Sequence, residues 1–570
     1  MENLRRFCRV RLFVLCAIAL AVPLAATAQE QFTEWVEMPD GVLLATEVYL
    51  PEGDGPWPVV LVRTPYGRMF TGQIHVGPPS LYTEDGYAHV AQDARGTGGS
   101  GGVWDYAEDP LDGRTTVDWI TDQWWCDGNI EMGGMSAGGI VTYALAPGAP
   151  AAVKALRPEA ATSDHGHQSW YQGGAFRWSL TGRWMTDMGF EDQLEEILQH
   201  RLRDEFWEPY QWIDHAAEVN TPMLHIGGWY DIYSQAAFDG FQTFQHQGGD
   251  GARGNQFLIV GPWTHMDWGV SEQPGLTYPD NATLDLDAVR AAFRDYWLKG
   301  EPTGVDQWPP VQVYLMGAVA EDEPNAPGNR WVELDDWPPW SYVKPWYLDA
   351  NGGLADTPAP YGAITLTMDP DHAVPTRGGG NAFTARGPQL QYTAEDRDDV
   401  LTFTSEVLDQ PVAIMGPVTA RIWIRPDTPD LDLSVRLCDV YPQGQNFVEQ
   451  SRIVIDGIQR ARMRCGDDHE CFLEPGVATE IEVDLWSTAI VFNAGHRIRV
   501  SIAGSNYPRF EVNPNHGGDL NGDDPPVIAY PEILFGPDHP SRILLPVIKL
   551  NDIKVRGTPG ENPVAEPSSE

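Results

Sequence analysis

Residues 133–139 read GGMSAGG, which sets Ser136 between Gly134 and Gly138. A serine hydroxyl becomes a useful nucleophile only when a base takes its proton and a third group orients that base. Two later segments offer those partners. Asp231 ends HIGGWYD, and His265 ends FLIVGPWTH. Small residues around Ser136 permit a sharp strand-to-helix turn that pushes the hydroxyl forward and aims the next backbone N–H, that of Ala137, at a developing oxyanion. The chemistry such a set performs is attack on an ester or amide carbonyl. Blander roles stay open for each residue alone: a turn serine in a glycine-rich loop, a turn aspartate, and a structural histidine beside Trp263 and Trp268.

Other polar residues compete for attention. The HGH segment holds His165 and His167, which read either as a rival base or as a metal pair with no third ligand evident. His89 and His225 fall inside apolar runs and read as packed side chains. Asp93 and Arg95, at the start of DARGTGGSGG, read as an ion pair clamping that glycine-rich loop. Cys465 and Cys471 enclose CGDDHEC, either as a local disulfide or, with His469, as part of a zinc site.

The elements that must position these residues follow from periodicity. Short apolar runs at Val59–Thr64, Tyr87–Ala91, Asn129–Met132, Met223–Ile226 and Phe257–Val260 each end where glycine or polar residues begin. The intervals accommodate helices, two of them at Thr115–Thr121 and Ser136–Leu145. This is the pattern of a largely parallel sheet flanked by helices, with ligands gathering beyond the carboxyl ends of its strands. Ser136, Asp231 and His265 in that order, each following a strand, define an α/β-hydrolase. Between 164 and 216 the pattern changes to inserted helices over the active face. There Leu194, Ile197, Leu198, Leu202 and Phe206 predict one amphipathic helix from Glu191 to Phe206. Segments such as VTARIWIRP and RIRVSIAG then predict strands separated by turns.

The expected organisation is a signal peptide over 1–28, a hydrolase domain over 29–163 and 217–345, and a helical cap over 164–216. A linker over 346–369, a β-sandwich over 370–552 and a disordered tail over 553–570 complete it. The leader rests on Arg5, Arg6, Arg9 and Arg11, an apolar stretch Leu12–Leu24 and the small residues Ala26-Thr27-Ala28. A retained anchor is the alternative, although the apolar stretch is shorter than the roughly 20 residues that span a bilayer. Cleavage removes four arginines and Glu2, taking the formal charge from −44 to −47. So acidic a surface excludes a nucleic-acid partner, because phosphate contacts need basic residues. The mature protein is expected to be secreted or periplasmic and to have no membrane partner. It is expected to use no cofactor or metal and to act on a small molecule; homo-oligomerisation stays open.

Six motifs together carry a resemblance: RTPYG at 63–67, DARGTGGSGG at 93–102, GNIEMGGMSAGG at 128–139, GGWYD at 227–231, GPWTH at 261–265 and NYPRF at 506–510. Over about residues 31–552 the chain resembles the serine hydrolases related to bacterial cocaine esterase, α-amino-acid ester hydrolases and Xaa-Pro dipeptidyl peptidases. The resemblance implies nucleophile, acid and base at Ser136, Asp231 and His265. It implies an oxyanion hole from the Tyr66 hydroxyl and the Ala137 N–H, together with a helical cap and a C-terminal jelly roll. The expected activity is that of a serine carboxylesterase or acylase on small or medium acyl groups. An Xaa-Pro dipeptidyl peptidase or α-amino acyl (including β-lactam) ester hydrolase is the alternative. Amine-recognising relatives imply extra carboxylates after the triad aspartate, whereas Asp231 is followed by Ile232, Tyr233, Ser234 and Gln235. Asp164 is the single loose match, expected here to organise the cap locally. Trp170, Tyr171 and Phe176 read as pocket walls or as cap core.

Overall fold

The computed structural model describes residues 30–69, 78–166, 169–319, 326–442 and 450–555. The leader expected over 1–28 lies outside them. The first sheet has eleven strands, ten of them β1 (Glu30–Glu37), β2 (Leu43–Leu50), β3 (Trp57–Thr64), β4 (Ala88–Asp93), β5 (Cys126–Met135), β6 (Val153–Glu159), β7 (Met223–Tyr230), β8 (Gln256–Thr264), β9 (Val311–Leu315) and β10 (Arg330–Leu334). They run in the order β1-β2-β4-β3-β5-β6-β7-β8-β9-β10. From β4 through β9 neighbouring strands are parallel. Antiparallel pairs close both edges. The central strands are buried along nearly their whole length, as a parallel sheet covered on both faces requires. Helices α1 (Asp109–Thr121) and α2 (Ala137–Leu145) pack on the sheet.

The inserted cap contains α3 (Arg183–Met188) and α4 (Glu191–Gln199). The single amphipathic helix expected to Phe206 therefore stops at Gln199. Arg201 turns away to bind Glu511, the Arg203 N–H donates to the Asp467 carbonyl, and Asp204 caps a separate 3₁₀ turn over Glu205–Tyr210. Beyond the cap, α5 (Ser234–Gln247) follows β7 and α6 (Leu286–Arg294) follows β8.

The C-terminal half folds as a β-sandwich. Its strands are β11 (Tyr342–Leu348), β12 (Gly353–Ala355), β13 (Gly362–Thr365), β14 (Val400–Ser405), β15 (Val412–Arg425), β16 (Asp432–Tyr441), β17 (Gln450–Arg460), β18 (Thr479–Phe492), β19 (Arg497–Ala503), β20 (Glu532–Phe535) and β21 (Arg542–Ile548). Their order is β13-β20-β15-β21-β11-β12-β14-β19-β16-β17, with β18 also paired to β15. The interval 346–369 expected as a linker is thus part of the sandwich: β11 pairs with β21, β12 with β14, and β13 with β20. The expected tail is corrected in the same way at its start. Lys554–Val555 forms β22, which pairs with β10 and extends the first sheet; the residues after 555 lie outside those described.

The sandwich and the cap are fastened together. The Glu511 N–H donates to the Phe176 carbonyl and the Arg460 N–H to that of Gly173, while Ala175 packs with Ile458 and Phe510. Arg201 of the cap grips Glu511 through two bonds of 2.6 and 3.1 Å. Cys465 and Cys471 form a disulfide, and His469 instead bonds Asp468.

Candidate active site

Ser136 sits between β5 and α2 at φ 58° and ψ −125°. For a residue with a Cβ such a backbone is strained, by roughly 1–3 kcal/mol, and persists only where the surroundings impose it. Here they do. The Ser136 N–H donates to the Glu159 carbonyl at 2.9 Å, and a Cβ on Gly134 would lie 2.7 Å from the backbone carbon of Gly138. A Cβ on Gly139 would meet that of Ala161 at 2.6 Å. The glycines let strand and helix close tightly enough to hold the serine on the crest of the turn.

The structure brings the three distant residues together. His265 Nε2 lies 3.0 Å from Ser136 Oγ, and His265 Nδ1 lies 2.7 Å from Asp231 Oδ2. Asp231 is 1% exposed, and its second oxygen accepts the Tyr233 N–H at 2.6 Å. A carboxylate fixed on both sides can orient the ring and stabilise an imidazolium. Asp231 follows β7 and His265 follows β8, adjacent parallel strands, which is why residues far apart in sequence meet. Ala137 opens α2, so its N–H is one of the helix's N-terminal donors that find no partner within the helix. Tyr66 follows β3 and lines the same cavity as Ser136. The residue as a whole is 37% exposed, while enclosure of the hydroxyl raises its pKa and keeps it a donor.

The cavity has a volume of about 470 Å³. Its walls come from three regions of the chain: Tyr106 and Tyr233 from the hydrolase domain, Trp170, Leu180, Trp184 and Met188 from the cap, and Ala382 and Phe383 from the sandwich. Of these walls, Trp170 is the one expected from sequence; the other residues named were missed, and the last two come from a region where no wall was expected. They sit on the loop at 378–387, whose Gly380 comes so close that a Cβ there would be 2.7 Å from the Asp231 carbonyl oxygen. Of the three aromatics proposed as walls, Trp170 lines the cavity, whereas Tyr171 and Phe176 are buried in the cap.

The competing polar residues take no part in the Asp231–His265–Ser136 contact, although His165 also lines the cavity. His165 is buried among Tyr106, Trp170 and Trp212, bonds Ser169 through Nδ1 at 3.0 Å, and is pushed down to a pKa of about 3 by burial. His167 lies outside the described residues. His89 and His225 are buried, as expected of packed side chains. Asp164 does not line the catalytic cavity. It borders a separate cleft with Asp239 and Gln242, and its backbone N–H and carbonyl both bond the Thr162 hydroxyl. The Asp93–Arg95 pair does not form. Arg95 turns to Asp112 and Asp40, and Asp93 binds Arg68. Asp93 is the last residue of β4 and Arg95 lies in the turn beyond it, and each charge finds a partner from another element.

A serine on a sharp strand-to-helix turn, in line with a histidine and an aspartate at neighbouring strand ends, a cap and an appended sandwich are the parts of a serine hydrolase of the α/β class. The X-Pro dipeptidyl-peptidase (S15 family) model matches residues 40–194 and 189–267, which contain Ser136, Asp231 and His265. The model of the X-Pro dipeptidyl-peptidase C-terminal non-catalytic domain matches residues 303–544. The chain is 30% identical to the cocaine esterase of Rhodococcus sp. over 587 residues, covering 90% of this chain and 98% of that protein. It is 27% identical to a putative serine esterase of Mycobacterium bovis, covering 90% and 95%. Among solved structures, an α-amino acid ester hydrolase superposes with a TM-score of 0.78 at 23% identity, over 91% of this chain and 96% of that one. An aminopeptidase from a marine-sediment Thaumarchaeota archaeon gives 0.77 at 22%, over 91% and 97%. Those two establish the shared fold. The chain belongs to the CocE/NonD-type serine hydrolases of the S15 peptidase family, and it is an enzyme of the serine esterase class.

Proposed function

We propose that the protein hydrolyses carboxylic esters of small or medium acyl groups, with some capacity for amides, through an acyl-enzyme on Ser136. The observation that carries this is the continuous Asp231–His265–Ser136 contact opening onto a largely apolar cavity. His265 Nε2 takes the Ser136 proton as Oγ attacks the carbonyl carbon. Asp231 holds the ring and balances its positive charge. The Tyr66 hydroxyl and the Ala137 N–H receive the tetrahedral oxyanion. His265 then protonates the leaving group, and water repeats the cycle on the acyl-enzyme.

An X-Pro dipeptidyl-peptidase or an α-amino acyl ester hydrolase must also seat a substrate ammonium. Among the described residues that line the cavity, Asp187 is the one carboxylate; it is 61% exposed and sits 3.3 Å from Arg183. An apolar pocket with no buried carboxylate favours acyl groups without an α-amine, since an unpaired buried charge is costly. The test is kcat/KM on matched esters differing only in that amine, extended to amides and X-Pro peptides. A preference for the amine of more than about 2 kcal/mol, roughly 30-fold, would refute the reading. We also propose export, supported by the basic-then-apolar leader and by a disulfide suited to an oxidising compartment. N-terminal sequencing of protein from the producing cells tests it.

A further inference from the structure

The Tyr66 hydroxyl is enclosed in the cavity beside Ser136 and Trp184, while the residue as a whole stays partly open. The backbone turn that carries the residue is a second determinant of where that hydroxyl lies. On one side the turn is tied to β3, where the Tyr66 N–H donates to Thr64 Oγ1 at 3.1 Å. Gly67, at φ 95°, then reverses the chain. On the other side the backbone of the turn is tied to the carboxylate of Asp93, while Arg68 Nε also reaches Glu47 Oε2 at 3.4 Å. Asp93 Oδ1 accepts the Arg68 backbone N–H, and Asp93 Oδ2 accepts from Arg68 Nη1 at 2.7 Å.

Asp93 is itself immobilised. It ends β4 directly beside Thr64 of β3, and the Ala94 N–H donates to the Thr64 carbonyl at 2.9 Å. Its Oδ2 also accepts the Gly99 N–H at 2.7 Å, and its carbonyl accepts the Ser100 hydroxyl at 2.7 Å. The residue is 1% exposed. Gly98 and Gly99 let the loop wrap this carboxylate; a Cβ on Gly98 would collide with it. The glycine-rich loop at 93–102 thus builds a rigid anchor one residue pair away from the phenol. We propose that Asp93 is a positioning residue for the oxyanion donor: by pinning Arg68 it holds the Tyr66 hydroxyl where the transition-state oxygen develops. This rests on the assignment of Tyr66 as that donor.

A donor that acts on charge appearing only in the transition state affects kcat and leaves ground-state binding alone. The experiment is a double-mutant cycle of wild type, D93N, Y66F and D93N/Y66F, measured as kcat and KM on a p-nitrophenyl ester of a short acyl group. Rates are normalised to the fraction of sites labelled by a fluorophosphonate. D93N keeps the size of the side chain but replaces one acceptor oxygen with a donor. We expect it to lower kcat tenfold or more with KM within twofold, and to change kcat by less than twofold in the Y66F background. Equal losses in both backgrounds, or a loss carried by KM, would overturn the proposal while leaving Tyr66 as the donor. A Y66F enzyme with wild-type kcat would instead remove the assignment of Tyr66. If D93N does not fold, R68M serves in its place, since it removes the guanidinium arm and keeps the backbone bond. It is expected to lower kcat threefold or more with Tyr66 present and not at all with Phe there; the same loss in both refutes the proposal.

Discussion

Glu511 joins the sandwich to the cap, and its replacement by glutamine measures what that joint contributes. Arg201 and Arg460 both bind its carboxylate, and they hold its pKa down from the usual 4.5 to about 2 against the opposing effect of burial. A carboxyl whose pKa falls on folding adds stability above its unfolded pKa and loses it as the pH drops toward the folded value. The shift corresponds to about 3 kcal/mol at pH 7, falling to about 1 kcal/mol at pH 3 and vanishing below pH 2. E511Q resembles the protonated state at every pH. It leaves Arg460 paired with Asp432 at 3.0 Å through two bonds, and Arg201 bonded to Asn521. The variant is therefore expected to fold and to be less stable than wild type by about 3 kcal/mol at neutral pH. The difference should shrink through the window between pH 5 and pH 2. Urea unfolding followed by tryptophan fluorescence, run on both proteins across pH 3–7, reads it directly. A gap between the two proteins that stays constant with pH would refute the argument, because it would show that the loss comes from something other than the carboxylate's charge.

Four further outcomes follow from the geometry. S136A should lose fluorophosphonate labelling and lower kcat by about 10⁴-fold or more, and D231N should lower it by about 10⁴-fold while keeping the label site, each checked by steady-state kinetics. G134A should destabilise the protein by more than about 1 kcal/mol, since its methyl would press on the Gly138 backbone at 2.7 Å, and thermal unfolding would register it. D164N should change the matched esters with and without an α-amine by similar factors, because Asp164 faces a different cleft from the one containing Ser136.

The residues that sequence made legible are those governed by local rules. Gly134 and Gly138 announce the elbow, since a side chain at Gly134 would press on the Gly138 backbone at 2.7 Å, and each partner of Ser136 follows a recognisable apolar strand. Helix α2 begins one residue later than expected, at Ala137, because Ser136 itself takes the strained turn. Where long-range contacts decide, local pattern misleads. The strands over 346–369 are short and interrupted by Gly, Pro and Asp, and only pairing with β14, β20 and β21 makes them strands. The break in the cap after Gln199 has the same origin, since Arg201 is drawn off by Glu511, more than three hundred residues further along. Asp93 and Arg95 resemble a pair in sequence, yet each is claimed by a charge that no local window contains. Phe383 gives no sequence signal at all, because its role depends on which loop of the sandwich arrives at the cavity.

That arrival has a consequence for how the enzyme comes into being. The loop at 378–387 supplies Ala382 and Phe383 to the cavity and presses Gly380 against the carbonyl of Asp231, and β22 at 554–555 adds the last strand to the first sheet. During synthesis from the N-terminus, all three polar residues of the site leave the ribosome well before the loop that walls them and the strand that finishes their sheet. A nascent chain ending near residue 345 holds Ser136, Asp231 and His265 but has one side of its pocket open to water. The complete cavity is consequently a late product of translation, and premature termination in the C-terminal half produces a chain that carries Ser136 without the chamber around it.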